Sequence, residues 1–236
     1  MRGRAAPHAA AREMKPVERL GAARTPDGTE IVLYRHDGAY LLRAAGVELM
    51  STRRHHSEDR LAELACAPLR DVAHARVLIG GLGLGFTLKA ALQVLRDDAE
   101  VVVAELLAEV IAWNADPAYA LSAEAVRDPR VRVVHDDVAN VVRAHPAAFD
   151  AILLDVDNGA EAMLTSTNAR LYAARGVAQT VAALRAGGTV AYWSADDDPR
   201  FAEVLRRAGL AVRSLRVRAH ETAGATHTLY FATRGE

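Results

Sequence analysis

The sequence lacks the cysteine pairs that form disulfides, the long apolar runs that span membranes and the excess of basic residues that binds polyanions. Its 236 residues include one cysteine, Cys66, so an internal disulfide and a CxxC zinc or redox site are both excluded. No apolar run approaches the roughly 20 residues that a membrane-spanning helix needs. The 29 basic residues nearly cancel the 30 acidic ones, which disfavours nucleic acid and anionic membranes as partners. We expect a cytoplasmic protein with no nucleic-acid partner and no membrane partner.

Metal ligands and two common catalytic motifs are also missing. The nine histidines form no HxxxH pair, and the adjacent His55 and His56 cannot easily bind one ion from one helical face. There is no GxSxG nucleophile turn and no P-loop lysine. We therefore expect no metal site.

The hydrophobic pattern divides the chain into three parts. Residues 1–24, rich in Ala and Arg, are predicted to be a flexible extension. Residues 25–70 are predicted to form a small β-hairpin domain and a connecting helix, because Asp37-Gly38 separates two short apolar runs and Gly accepts the positive φ of a hairpin turn. Residues 71–236 are predicted to form the main, cofactor-binding domain.

In the main domain, short apolar runs alternate with helical stretches. The apolar runs are 76–80, 100–104, 131–134, 151–154 and 189–193, and helices are predicted near 86–96, 107–114, 137–144, 168–185 and 199–207. Such runs, apolar throughout and interleaved with helices, indicate a parallel sheet covered on both faces. The linker between two further strands, 211–218 and 227–233, is too short for a parallel crossover. The predicted fold class is α/β, a doubly wound, mostly parallel, seven-stranded Rossmann-like sheet with an antiparallel last strand, preceded by the hairpin domain.

A glycine-rich loop follows the first strand of the main domain. Gly81, Gly83 and Gly85 let the backbone turn tightly and let a ligand touch the main chain. Glu105 stands 20 residues beyond Gly85, at the end of the next strand, where an acid accepts hydrogen bonds from both ribose hydroxyls of a nucleoside cofactor. Nicotinamide cofactors and S-adenosylmethionine both use this arrangement.

Later features favour S-adenosylmethionine. The third apolar run ends in His135-Asp136-Asp137, whose two acids are predicted to meet the adenine amino group. Asp155 ends the fourth run at the carboxyl edge of the sheet, where ligands of open α/β sheets bind. An antiparallel last strand is usual in methyltransferase-type domains and not in dehydrogenases.

With these motifs, residues 28–234 resemble the spermidine synthase-like branch of the class I S-adenosylmethionine-dependent methyltransferase superfamily. The segment FDAILLDVDN at 149–158 is similar to the motif Y/F-D-hhhh-D-x-x-D of that branch. The segment LRAGG at 184–188 is similar to its Leu-x-x-Gly-Gly turn. The resemblance implies a methyltransferase-type fold, a transferase activity and S-adenosylmethionine, or its decarboxylated form, as cofactor.

Three departures bear on the group transferred. Aminopropyl-transferring members carry G-G-G-D-G-G, whose Asp binds the amine of the decarboxylated cofactor, and an ungapped match puts Leu84 at that position. The D-x-x-D motif is D-V-D-N at 155–158, and the Tyr-His-Glu substrate motif is reduced to H-S-E at 56–58. Polyamine synthases need several carboxylates to hold a cationic substrate and deprotonate its amine, so these changes disfavour polyamine synthesis.

The leading hypothesis is therefore methyl transfer from S-adenosylmethionine to an undetermined small-molecule acceptor. The alternative is an aminopropyltransferase (spermidine synthase) that uses decarboxylated S-adenosylmethionine, and a second alternative is a non-catalytic cofactor-binding protein. The exposed strand edges of the hairpin domain also make a homodimer possible.

The predicted site contains residues from all of these motifs. The predicted catalytic residues are Asp155, Asp157, Asn158 and Glu58. The predicted cofactor-binding residues are Gly81, Gly83, Gly85, Glu105, Asp136, Asp137 and Asp155. The predicted substrate-binding residues are His55, His56 and Tyr172.

Overall fold

The structure, a computed structural model, describes residues 16–156 and 166–235. Four of the strands in these ranges form a small antiparallel sheet in chain order: β1 (Val17–Arg24), β2 (Glu30–His36), β3 (Ala39–Ala44) and β4 (Val47–Ser51). The turn between β2 and β3 is the predicted one, with positive φ at both Asp37 and Gly38.

Strand β1 corrects the prediction that residues 1–24 are a flexible extension. Its backbone pairs with β2, and two ion pairs, Glu18–Arg35 and Arg19–Glu30, join the two strands. Half of its residues are exposed, as on an edge strand, so the sequence lacks a clear alternation of apolar and polar residues there. Residues 1–15 lie outside the described residues.

The second sheet has seven strands in the order β10-β11-β9-β8-β5-β6-β7. The strands are β5 (Arg76–Gly80), β6 (Glu100–Glu105), β7 (Val131–His135), β8 (Phe149–Leu154), β9 (Leu184–Ser194), β10 (Leu210–Arg218) and β11 (Thr226–Arg234). Strands β5 to β9 are parallel, and β11 runs antiparallel to both β9 and β10. The predicted fold class is confirmed.

The helices of the described ranges flank this sheet. They are α1 (His56–Cys66), α2 (Phe86–Val94), α3 (Ala108–Ala115), α4 (Ala123–Val126), α5 (Val138–Ala144), α6 (Ser166–Tyr172), α7 (Ala174–Ala183) and α8 (Pro199–Arg207). The helix predicted at 168–185 is two helices, because the chain is extended at Ala173 and α7 then begins close to α6. A Cβ on Gly176 would lie 2.1 Å from the carbonyl oxygen of Arg170, so only glycine permits this approach.

The hydrophobic core lies on both faces of the large sheet, since alternate strand residues point in opposite directions. Val77 and Ile79 pack on the face that carries α1 and α2, and this core continues into the small sheet. Leu78 packs on the other face, with α5, α7 and α8. Helix α1 contacts α2 and strands β8 to β11, so it belongs by packing to the large sheet, although we predicted it as part of the 25–70 domain. Over the described ranges, no helix is long and apolar enough to span a membrane.

Candidate active site

A pocket opens at the carboxyl ends of β5, β6 and β8. Here the direction in which strands are added to the sheet changes, because β6 and β7 lie on one side of β5 and β8 lies on the other. Such a reversal leaves a crevice in which open α/β sheets bind their ligands. The wall combines the glycine loop, the ends of β6 and β8 and the start of α5 with side chains from the small sheet, among them Ile31, Leu42 and Leu49. The two sheets therefore enclose the site together.

Two of the three predicted loop glycines line this pocket. Gly81 has φ +89°, and a Cβ there would lie 2.3 Å from the main-chain oxygen of Asp155. Gly83 has φ +52°, and its Cβ would lie 2.8 Å from the sulfur of Met50. Gly81 therefore requires glycine, because its Cβ would meet backbone, whereas a Cβ at Gly83 would meet the flexible end of Met50. Both glycines present bare backbone to the pocket.

Gly85 has a different role from the one predicted. It precedes α2 with φ +80°, and a Cβ there would lie 2.4 Å from the side chain of Ser122. It does not line the pocket. The structure therefore gives Gly85 a packing role beside Ser122 and places it outside the pocket wall.

Glu105 ends β6 and lies in the pocket wall as predicted. One carboxylate oxygen accepts a 2.8 Å hydrogen bond from the N–H of Leu82, and the other accepts a 2.9 Å bond from the N–H of Leu107. Burial raises the pKa of Glu105, and the backbone N–H bonds oppose this shift. These backbone bonds fix the Glu105 carboxylate in place at the pocket wall.

The two acids after β7 lie in different surroundings. Asp137 lines the pocket, but its carboxylate caps α5 at the N–H of Ala139, 2.8 Å away, and pairs with Arg170. Asp136 lies outside the wall and accepts a 2.7 Å bond from Asn140. Of the two acids that were predicted to contact the same ligand group, Asp137 lines the pocket and Asp136 does not.

Asp155 follows β8 and is almost entirely buried in the pocket wall. Its Oδ2 accepts a 2.6 Å hydrogen bond from the hydroxyl of Thr87, a residue that the sequence did not single out. Its Oδ1 is buried and has no hydrogen-bond partner among the described residues. Burial raises the pKa of Asp155, which the Thr87 bond opposes and the charge of Asp59 reinforces. A buried carboxylate with a free oxygen is suited to bind a cation or a proton donor.

Glu58, at the start of α1, is the second buried carboxyl of the site. Burial raises its pKa strongly, and the charge of Asp155 raises it further, which brings these two predicted catalytic residues into one electrostatic pair. Such a pair retains a proton at a pH at which exposed carboxyls have lost theirs. Glu58 does not line the pocket itself.

Sequence reasoning missed the residues that surround Glu58. The hydroxyl of Ser57 donates a 2.5 Å hydrogen bond to Glu58 and lies 2.9 Å from Nδ1 of His227. The indole N–H of Trp193 donates to the same hydroxyl at 3.2 Å. His227 follows Ser57 by 170 residues, and no local pattern joins the two.

The predicted substrate-binding residues lie away from the pocket wall. His55 stacks on Phe86, with ring centroids 4.0 Å apart, and its Nδ1 lies 2.7 Å from a carboxylate oxygen of Asp59. His56 is half-buried, and its backbone N–H bonds the carbonyl of Ala219.

Tyr172 is a core residue and not the predicted substrate contact. Its ring packs against Tyr192 and Phe201, and its hydroxyl donates a 2.8 Å bond to the carbonyl of Trp193. Asp157 and Asn158 lie outside the described residues.

Leu84, the residue at the position of the family aspartate, points into the core. It is 1% exposed, and its N–H donates to the sulfur of Met50 at 3.2 Å. The acids of the pocket are instead Glu105, Asp137 and Asp155, and none of the described residues in the wall is basic. The described wall therefore carries a negative charge, of which Arg170, bound to Asp137, offsets a part.

Comparison with known proteins yields a match at the level of structure only. No protein-family model and no curated protein sequence matches the chain. A spermidine synthase in complex with the transition-state analogue AdoDATO superposes with a TM-score of 0.71 at 19% identity, over 92% of this chain and 73% of that one. Spermidine synthase from Thermotoga maritima gives 0.70 at 19% identity over the same shares. A probable spermidine synthase from Corynebacterium glutamicum gives 0.62 at 18% identity, over 91% and 79%. The chain therefore has the fold of these spermidine synthases.

Proposed function

We propose that this protein is an aminopropyltransferase, which transfers the aminopropyl group of decarboxylated S-adenosylmethionine to an amine. The sequence favoured methyl transfer, and aminopropyl transfer was the alternative. The observation that carries the proposal is the acidic pocket wall without a described basic residue. The spermidine synthases that share the fold support the same choice.

The charge of the wall distinguishes the two cofactors. S-adenosylmethionine carries a sulfonium, an ammonium and a carboxylate, whereas its decarboxylated form lacks the carboxylate and has one more net positive charge. Asp155 and Glu105 would repel that carboxylate, and no described side chain of the wall could pair with it. The wall therefore suits the decarboxylated form.

The described residues fit such a cofactor. Glu105 would accept the two ribose hydroxyls, and the bare backbone at Gly81 and Gly83 gives the close approach that an adjacent ligand needs. The free Oδ1 of Asp155 would accept a bond from an ammonium group. When bound, the cofactor supplies a sulfonium whose attached carbon is open to attack by a nucleophile.

Asp155 and Glu58 would then act on the acceptor. An acceptor amine must lose a proton as its nitrogen forms the new bond to carbon, and a nearby carboxylate can take that proton. The raised pKa values of Asp155 and Glu58 make the pair a better proton acceptor than exposed carboxylates near neutral pH. Asp155 and Glu58 would share the proton that the acceptor amine loses.

Methyl transfer from S-adenosylmethionine is the second candidate, and Leu84 favours it. A buried leucine in place of the family aspartate removes one carboxylate that would hold the amine of the decarboxylated cofactor. In our proposal Asp155 takes over this contact.

A product assay separates the two reactions. The purified protein is incubated with each cofactor and a panel of diamines, and the nucleoside products are resolved by mass spectrometry. Aminopropyl transfer releases methylthioadenosine, whereas methyl transfer releases S-adenosylhomocysteine. Methylthioadenosine that forms only with both cofactor and diamine supports the proposal, and S-adenosylhomocysteine as the only product contradicts it.

A further inference from the structure

A chain of hydrogen bonds leads from Glu58 away from the pocket. Oγ of Ser57 contacts Glu58 on one side and Nδ1 of His227 on the other, at 2.5 and 2.9 Å. Ser57 is fully buried on α1, whereas His227 is half-buried at the start of β11. These contacts therefore join a buried carboxyl to a side chain that reaches the surface.

The donors and acceptors of this chain allow two arrangements. The indole N–H of Trp193 only donates, so it occupies one lone pair of the Ser57 oxygen in both. When Glu58 is ionised, Ser57 donates its proton to Glu58 and Nδ1–H of His227 donates to Ser57. When Glu58 is protonated, Glu58 donates to Ser57, and Ser57 donates to a bare Nδ1 of His227.

We infer that Ser57 and His227 form a proton relay that carries the proton of the acceptor from Glu58 to the surface. The inference rests on the proposed function, in which an acceptor amine loses a proton beside Asp155 and Glu58. In the relay step the O–H bond of Glu58 breaks as Ser57 gains that proton, and the original O–H bond of Ser57 breaks as an N–H bond forms at His227. The imidazolium then gives its proton to solvent, so every atom and charge is accounted for.

In the free protein the pKa values of the two ends oppose this movement, and a bound amine reduces the difference. Burial raises the pKa of Glu58, and the charges of Asp155 and Asp59 raise it further. An amine bound at Asp155 would offset part of that negative charge and allow Glu58 to ionise. Burial lowers the pKa of His227, and the charge of Asp196, which favours the imidazolium, opposes this shift.

Linked titration of the two ends tests the relay. The protonation of each ring nitrogen of His227 is followed by NMR across pH in the full chain without cofactor, for the unmodified protein, Glu58→Gln, Ser57→Ala and the double variant. We expect Nδ1 of the neutral His227 ring to change from bare to protonated as Glu58 ionises when Ser57 is present, and to show less than a third of that change when Ser57 is alanine or Glu58 is glutamine. An equal change in both backgrounds, or no change in either, would overturn the relay. Thr180→Val, which removes an equally buried hydroxyl on the opposite face of the sheet, should leave the titration unchanged.

A second variant covers the case in which Ser57→Ala does not fold. His227→Gln, at a half-buried position, keeps an N–H donor but cannot accept the proton. The carboxyl carbon shift of Glu58 should then report a raised pKa, and an unchanged value would contradict the relay. Both titrations are made without cofactor. Absence of methylthioadenosine would therefore refute the proposed function alone, and unlinked titrations with intact turnover would refute the relay alone.

Discussion

The main-chain oxygen of Asp155 lies 2.3 Å from the point that a Cβ on Gly81 would occupy. The loop after β5 and the acid after β8 are thus in direct contact, on neighbouring parallel strands. The conformation of the glycine loop therefore depends on the position of Asp155, and the position of Asp155 depends on the conformation of the loop.

Gly81→Ala should destabilise the protein by more than its positive φ explains. A Cβ at Gly81 collides with backbone, whereas Gly38 has φ +74° with nothing within 4 Å of its Cβ position. Each substitution costs about 1 kcal/mol through φ, and the collision at Gly81 should add on the order of 2 kcal/mol. Urea unfolding of Gly81→Ala and Gly38→Ala measures the difference, and equal losses would refute the contact.

Glu105→Gln should weaken cofactor binding at least tenfold. An amide has one acceptor oxygen, whereas the carboxylate has two, which accept bonds from the N–H groups of Leu82 and Leu107. The NH₂ group of the glutamine would therefore lie against one of these N–H donors without a hydrogen bond. Calorimetric titration with decarboxylated S-adenosylmethionine measures the loss. Glu100→Gln, at the exposed start of the same strand, should bind normally, and normal binding by both variants would contradict the ribose assignment.

Glu58→Gln should flatten the pH dependence of stability. Burial raises the pKa of Glu58 above its unfolded value, so the folded state holds the proton more tightly. The resulting stability is fully present below the unfolded pKa and is lost as pH rises through the folded one. Between pH 5 and pH 9 the unmodified protein should lose on the order of 2 kcal/mol more than Glu58→Gln. Urea unfolding at both pH values checks this, with Glu63→Gln on the exposed face of α1 as control, and parallel losses in all three would show that Glu58 is not the group responsible.

Asp155→Asn should reduce kcat at least 100-fold with a smaller effect on cofactor affinity. The amide still fills the space beside Thr87 but can neither take a proton nor offset a cation. Steady-state rates and calorimetry separate the two effects. Asp150→Asn, at the opposite end of β8, should retain kcat even though it loses an ion pair with Arg185. A normal kcat in the Asp155→Asn variant would show that Asp155 does not take part in the reaction.

The features that the sequence predicted correctly depend on local signals. The hairpin turn at Asp37-Gly38, the strands β5 to β8 and the glycine loop each follow from neighbouring residues. The parallel order of the strands then brings Asp155 to the same edge as Glu105, because carboxyl ends of parallel strands share one edge.

The features that the sequence did not predict depend on distant contacts. The chain of Glu58, Ser57 and His227 forms only when α1 packs on β11, near the end of the chain. The packing role of Gly85 depends on Ser122, and the core position of Tyr172 depends on α8. None of these residues has a local pattern that distinguishes packing from ligand contact.

We propose that the acidic wall selects the decarboxylated cofactor, and a comparison of two affinities is the decisive experiment. Calorimetric titrations of the same preparation with S-adenosylmethionine and with its decarboxylated form, at low and at high salt, give the ratio of the two dissociation constants. We expect the decarboxylated form to bind at least tenfold more tightly, and salt to reduce the ratio, because the extra carboxylate would lie beside Asp155 with no basic side chain in the described wall. Equal affinities, or tighter binding of S-adenosylmethionine, would contradict it.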